Sequence, residues 1–259
     1  MDASEVGRFW ASNARAWTEL SRQGWDTYRD ALNTPAFLAL LPEIDGRTGL
    51  DIGCGEGHNT RLLAARGARM TGVDIVPAFI EAAWERENPP AIQYVIADAQ
   101  NLPFGPGRFD FATAFMSLMD MPEPWSGLRE AARVVKTGGF LQFSITHPCF
   151  FPPHRRQLRN ELGVPYAVEL ARYFDRIDGE IDRWIFSAAP EELQAAYPPF
   201  EIPRFHRTLS EWINAVMDAG FTIERIAEPR ADEETARRIP RVADTRNVAY
   251  FLHVRCRRR

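Results

Sequence analysis

Residues 50–57 read Leu-Asp-Ile-Gly-Cys-Gly-Glu-Gly, and Thr71-Gly-Val-Asp-Ile75 follows about one helix later. An apolar run enters a glycine-rich turn, a helix follows, and a second apolar run ends on a carboxylate. Gly53, Gly55 and Gly57 let the backbone turn sharply and approach a ligand closely, because no Cβ stands in the way. Asp74, at the tip of the second run, is placed to accept hydrogen bonds from both hydroxyls of a ribose. This is half of a nucleoside-binding site in sequence order. The dinucleotide fingerprint needs glycines at its first, third and sixth positions, but the sixth position here is His58 and the third glycine comes one residue early. Glu56 would also set a negative charge against a pyrophosphate. A nucleoside without phosphates fits better.

The G-x-G-x-G spacing, with Asp51 before it and Asp74 after it, resembles the cofactor loop of the class I S-adenosylmethionine-dependent methyltransferases. The resemblance runs over residues 45–145 and includes Ala97-Asp98-Ala99, Gln100-Asn101-Leu102-Pro103-Phe104, Arg108-Phe109-Asp110 and the run from Arg133 to Gly139. It implies S-adenosyl-L-methionine as cofactor and methyl transfer as activity. It also implies a cofactor site that includes Asp51, Gly53, Cys54 and Gly55 in the loop, with Asp74 and Ile75 at the ribose. Asp98 would accept from the adenine amine while the Ala99 N–H donates to the ring; an Asx turn is the other reading of Asp98. Phe115 and Met116 would lie near the methionyl part. Arg29 is a candidate for the methionine carboxylate, with an ordinary surface arginine as the alternative. The Asn/Asp-Pro-Pro-Tyr signature of many nitrogen- and DNA-methylating members is missing, which argues against nucleobase amines as acceptors.

Two histidines are candidate general bases, and histidine titrates nearest to neutral pH. His147 follows the fifth predicted strand directly, and His206 precedes a helix with Arg207 beside it. Either could instead be a structural histidine bonded to nearby backbone. Asp120, within Met119-Asp120-Met121, reads as a helix N-cap, with substrate orientation as the alternative.

The elements that position these groups alternate between strand and helix, so the expected fold is Rossmann-like α/β: seven mostly parallel strands with helices on both faces. Strands are expected at Thr48–Ile52, Arg69–Asp74, Ile92–Ala97, Phe109–Phe115, Phe140–Ile145, Phe221–Ala227 and Val248–Val254. Helices are expected at Asn59–Arg66, from Pro77, at Leu128–Val135, and from the capping box Thr208-Leu-Ser-Glu211. Residues 1–40 put Trp10, Ala14, Trp17 and Leu20 on one helical face and read as a helical cover. Residues 147–205, rich in proline and aromatics, read as a substrate lid, since a structureless insert of that length is uncommon unless functional. Residues 41–146 and 206–259 would then form the cofactor-binding core.

The chain has 259 residues, a net charge of −4 and one lysine, Lys136, among 31 basic residues. The acidic balance offers nucleic acid no broad attraction, and the arginines of Arg255–Arg259 read as a solvated terminus. Cys54, Cys149 and Cys256 have no metal-type spacing and fit a reducing cytoplasm. No signal peptide or membrane span is evident. The expected partner is a small-molecule acceptor with no metal; a silent cofactor-binding module, a protein methyltransferase and, less favoured, a nicotinamide oxidoreductase are the alternatives.

Overall fold

The computed structural model describes residues 1–86, 90–161 and 165–259. It opens with helix α1 (Ala3–Arg22), capped by an Asp2–Glu5 capping box, then a π-helical turn at Arg29–Asn33 and α2 (Thr34–Leu40). The core continues through β1 (Thr48–Ile52), α3 (His58–Ala64), β2 (Arg69–Asp74), α4 (Pro77–Glu85), β3 (Ile92–Ile96) and β4 (Phe109–Phe115). A 3-10 turn at Leu118–Asp120, α5 (Pro124–Val134) and β5 (Val135–Thr146) follow. Beyond β5 come β6 (His154–Arg159), β7 (Pro165–Ala171), β8 (Ile177–Trp184), α6 (Glu191–Ala196) and β9 (Phe200–His206). The chain ends with α7 (Leu209–Asp218), β10 (Phe221–Ala227), α8 (Glu233–Arg238) and β11 (Phe251–Arg258).

Seven strands form one sheet in the order β10-β11-β5-β4-β1-β2-β3, with β11 antiparallel to both its neighbours. The remaining six run parallel, so the expected Rossmann-like sheet is present. Strand alternation divides the core between its two faces. Leu141, Phe143 and Ile145 pack with Leu128 of α5 and Trp212 of α7, while Phe140 joins Phe111, Leu63 of α3 and Ile80 of α4 on the other face. Burying a side chain of this size contributes about 1.5–3 kcal/mol.

Three boundaries differ from the sequence reading. Strand β5 begins at Val135 because Gly138, at φ 76°, lets the strand bulge past β4 instead of starting after the diglycine. Helix α5 begins at Glu123-Pro124, where proline suits the first turn. The last strand runs to Arg258, so the arginine tail is not a solvated terminus. Cys256 is buried against Leu141 while Arg255 and Arg257 pair with Glu224.

The segment after β5 is ordered by strand pairing, β6 with β7 and β8 with β9, both antiparallel. Residues 162–164 of the expected lid lie outside the described residues. Strand β9 packs against α1, where the Asn13 amide donates to Glu201 O (2.9 Å) and accepts from Glu201 N (3.2 Å). Trp17 of α1 meets Trp184, Phe186 and Phe200 edge-on or tilted, with ring centroids 4.9–5.6 Å apart. No helix among the described residues is long and apolar enough to cross a membrane.

Candidate functional site

A cavity of about 710 Å³ opens beyond the carboxyl ends of β1, β2, β4 and β5 and is walled by α1 and by β8 and β9. In open α/β sheets that edge is where ligands bind. The glycine loop forms its floor. At Gly53, φ is 68°, and a Cβ would lie 2.3 Å from that of Ser117, which donates to Ile52 O at 2.6 Å. Gly55, also left-handed at φ 54°, has open space where its Cβ would be, so its backbone faces the cavity bare.

Asp74 ends β2 and holds the loop. Its Oδ2 accepts from Gly55 N (2.9 Å) and its Oδ1 from Val76 N (3.0 Å). Each oxygen keeps a lone pair for a further donor, and burial pushes the carboxyl up to about 6. Ile75 and Cys54 line the same wall, and burial holds the Cys54 thiol well above its ordinary range. Asp51 borders the cavity, but its oxygens are taken by Thr60 Oγ1 (2.6 Å) and Thr113 Oγ1 (2.9 Å). It ties α3 and β4 to β1 beneath the loop.

Asp98 forms the Asx turn, its Oδ1 accepting from Gln100 N at 2.8 Å. It also lines the cavity with Ala99, and its second oxygen has no hydrogen-bond partner among the described residues. Phe115 and Met116 border the cavity at the end of β4, where Met116 adopts φ 55°. Arg29 sits in the π-helical turn, bonded to Asp30 (2.7 Å) and to Ser21 O (3.0 Å). Burial, and next the Arg29 charge, hold His58 down at about 4, which places this cation beside the glycine loop.

Glu56 does not present a free negative charge to a ligand. Its carboxylate is buried between Arg22 (2.9 Å) and Arg61 (2.8 Å), so the loop is closer to neutral than the sequence suggests.

The two histidines separate. His147 does not line the cavity: its Nε2 meets Glu228 Oε1 at 2.7 Å and its Nδ1 accepts from Cys149 N at 3.2 Å. Thr146 faces the cavity, and the residue one step along a strand points the other way. His206 does line the cavity. Its Nε2 lies 2.8 Å from Tyr173 O, and a carbonyl only accepts, so Nε2 carries the hydrogen and Nδ1 is the acceptor. Burial lowers its affinity for a second proton.

Two cavity groups differ from the sequence reading. Asp120 is not the expected helix N-cap: the N-cap of α5 is Glu123, without a side-chain bond, and Asp120 lines the cavity, which suits the alternative of orienting a substrate. Arg155, which the sequence reading did not single out, lies over the rings of Phe151 (4.4 Å) and Tyr250 (4.9 Å) at the cavity wall. No cluster of three or more His, Cys, Asp or Glu among the described residues could hold a metal ion.

The bare Gly55 backbone, the spare Asp74 and Asp98 lone pairs and the Arg29 cation fit the ribose, adenine and amino-acid parts of an S-adenosyl nucleoside. A family profile described as a methyltransferase domain matches residues 50–143. Demethylmenaquinone methyltransferase of Clavibacter sepedonicus is 35% identical over 74% of this chain and 72% of its own length. The 27-O-demethylrifamycin SV methyltransferase of Amycolatopsis mediterranei is 32% identical over 53% of this chain and 57% of its own, so the chain spans little more than half of that relative. An S-adenosylmethionine-dependent methyltransferase structure from Mesorhizobium loti superposes with a TM-score of 0.70 at 25% identity, covering 86% of this chain and 96% of that one. With this loop and these relatives, the chain belongs to the class I S-adenosylmethionine-dependent methyltransferases.

Proposed function

We propose that the protein transfers a methyl group from S-adenosyl-L-methionine to a small-molecule acceptor. One observation carries this: Gly55, Asp74, Asp98 and Arg29 on the cofactor side and the acceptor-competent His206 all open into one cavity. The cofactor supplies a methyl group that is already electrophilic. In this reading Asp74 takes the ribose hydroxyls, Asp98 the adenine amine and Arg29 the carboxylate. The rest of the chain must hold the acceptor in line and exclude water, and proximity alone can lower such a barrier by roughly 7–11 kcal/mol at the upper end.

Residues 1–40 and 147–205 supply the aromatic walls Trp17, Trp184, Phe186 and Phe151, which suits a lid over an apolar, flat acceptor. His206, which lines the cavity with its Nε2 hydrogen held by Tyr173 O, is the better placed of the two histidines to receive a proton from a hydroxyl acceptor. The relatives are named for small-molecule acceptors, rifamycin SV and menaquinone precursors among them. Net charge of −4 supports this class over nucleic acid, and three free cysteines suit a reducing cytoplasm.

The test is calorimetry with S-adenosylhomocysteine and with NAD, followed by a tritium-transfer screen against a metabolite extract and mass spectrometry of the product. Tight NAD binding with no S-adenosyl ligand bound would overturn the reading. Binding without transfer to any acceptor would leave the silent binding module standing.

A further inference from the structure

The cavity is lined by a carboxyl group, that of Asp120, with no partner among the described residues. Asp120 ends the 3-10 turn that leaves β4, three residues past Ser117, the residue packed on Gly53. Its backbone N–H is held by Ser117 O at 3.1 Å, and the neighbouring Met119 is fixed by the Thr146 N–H, 3.1 Å from its sulfur. The turn packs against β9, whose last residue is His206, and Pro122 O accepts from Arg207 at 3.3 Å. Yet the Asp120 side chain has no hydrogen-bond or ion-pair partner among the described residues, and it lines the cavity half-buried. Leaving a partly buried carboxyl unpaired is costly unless it is neutral or meets a ligand.

We propose that Asp120 donates a hydrogen bond to a carbonyl-type oxygen of the acceptor, beside the nucleophile, while His206 Nδ1 accepts from the nucleophilic hydroxyl. This rests on the methyltransferase reading and narrows it to acceptors with a hydroxyl next to a carbonyl oxygen. Burial alone pushes Asp120 up to about 8, and burial lowers His206, so near neutral pH the acid holds its proton and the imidazole is free of its second. Two titratable groups driven apart in this way divide into donor and acceptor. On transfer, the hydroxyl oxygen forms its bond to the methyl carbon, the carbon–sulfur pair stays on sulfur, and the hydroxyl proton passes to Nδ1. The Nε2–H remains on Tyr173 O throughout. A protonated amine suits this wall less, because a neutral acid offers it no charge and an imidazole of lowered basicity takes its proton poorly.

The charged groups around Asp120 are accounted for. Strand β9 presents Arg204 and His206, and Arg207 beyond it is tied to Asp178 at 2.5 Å and to Ile177 O at 2.8 Å. On α5, Glu130 and Arg133 pair with each other at 2.6 Å and Arg129 bonds Ser126. The only charged residue of β5, Lys136, pairs with Asp110 at the opposite end of the strand.

The experiment has two arms on the intact protein. Infrared difference spectra between wild type and Asp120→Asn should show the carbonyl band of a protonated acid at pH 7, lost with a midpoint at about 8. This arm needs no cofactor, so it stands or fails apart from the methyltransferase reading, which S-adenosylhomocysteine binding tests separately. In the second arm, protein saturated with S-adenosylhomocysteine is titrated with 3-hydroxychromone and with its isomer 7-hydroxychromone, in which hydroxyl and carbonyl are apart. The 3-isomer should bind more tightly by about 10-fold or more, and its affinity should fall as pH rises through about 8. Asp120→Asn, which donates without ionising, should remove that fall, and Asp120→Ala should lose the preference between isomers. Equal binding of the two isomers, a missing acid band, or tighter binding of benzylamine with the same pH rise would overturn the proposal.

Discussion

Ser117 occupies the space that a side chain at Gly53 would need: a Cβ there would fall 2.3 Å from Ser117 Cβ and 2.8 Å from its Oγ. The end of β4 and the loop after β1 are therefore fitted to each other, and the cofactor side of the cavity is shaped by the acceptor side. Gly53→Ala meets both this overlap and a backbone at φ 68°. The backbone term alone should cost about 1–3 kcal/mol. Thermal unfolding should show the loss, and adding Ser117→Gly should restore only part of it. A Gly53→Ala melting temperature equal to wild type would mean that the loop does not pack this way.

Asp74 should make cofactor affinity depend on pH. Burial pushes its carboxyl up to about 6, and hydroxyl donors favour the ionised form, so binding releases a proton below that value. Affinity for S-adenosylhomocysteine should rise with pH through about 6 and level off above it. Asp74→Ala should weaken binding by about 1–3 kcal/mol and flatten the profile. Calorimetry in buffers of different ionisation enthalpy reads both effects.

The histidines should part in kinetics. His206→Ala should lower kcat by about 10²–10⁴ with cofactor affinity intact. His147→Ala should leave kcat close to wild type and reduce stability, since Cys149 N and Glu228 lose their partner. The reverse pattern would return the base to the end of β5.

Buried His253 predicts an acid-sensitive fold. Its Nε2 lies 2.6 Å from Asn33 Oδ1, and burial holds it at about 4 against an ordinary 6.5. The unfolded chain takes up this proton first, so the stabilising contribution is complete above pH 6.5 and is lost as pH falls to about 4. Denaturant midpoints across that window should fall, and fall less in His253→Gln.

Glu56→Gln should loosen α1 from the loop, because it leaves Arg22 and Arg61 without their shared partner. The arginines are 21% and 14% exposed, so the cost should fall somewhat below the roughly 3–5 kcal/mol of a fully buried pair. Hydrogen exchange should quicken first in α1.

The legible parts of this chain were local. The glycine loop, the carboxylate ending β2 and the Thr208–Glu211 capping box each lie within a few residues, and each was found where its spacing put it. The strands β6 to β9 escaped, and β8, Ile-Asp-Gly-Glu-Ile-Asp-Arg-Trp, shows why: it is mostly exposed and lacks a clean apolar face. His147 misled because proximity to a strand end does not fix which way a side chain points. Asp120 reads first as a helix cap for another reason: what sets it apart is that no described residue pairs with it, and only the folded chain shows who its neighbours are.

The pairing of Asn13 with Glu201 has a consequence for how the protein is made. The two residues are 188 apart in sequence, so α1 leaves the ribosome long before the strand it docks on exists. Trp10 can rest on Phe79 of α4 early, but the face of Trp17 that meets Phe186 and Phe200 has no surface to cover until then, and exposed apolar surface invites aggregation or chaperone capture. That side of α1 finds its place only when β9 has been made. Slowing translation ahead of residue 200 should therefore lower soluble yield without changing the properties of the protein that does fold.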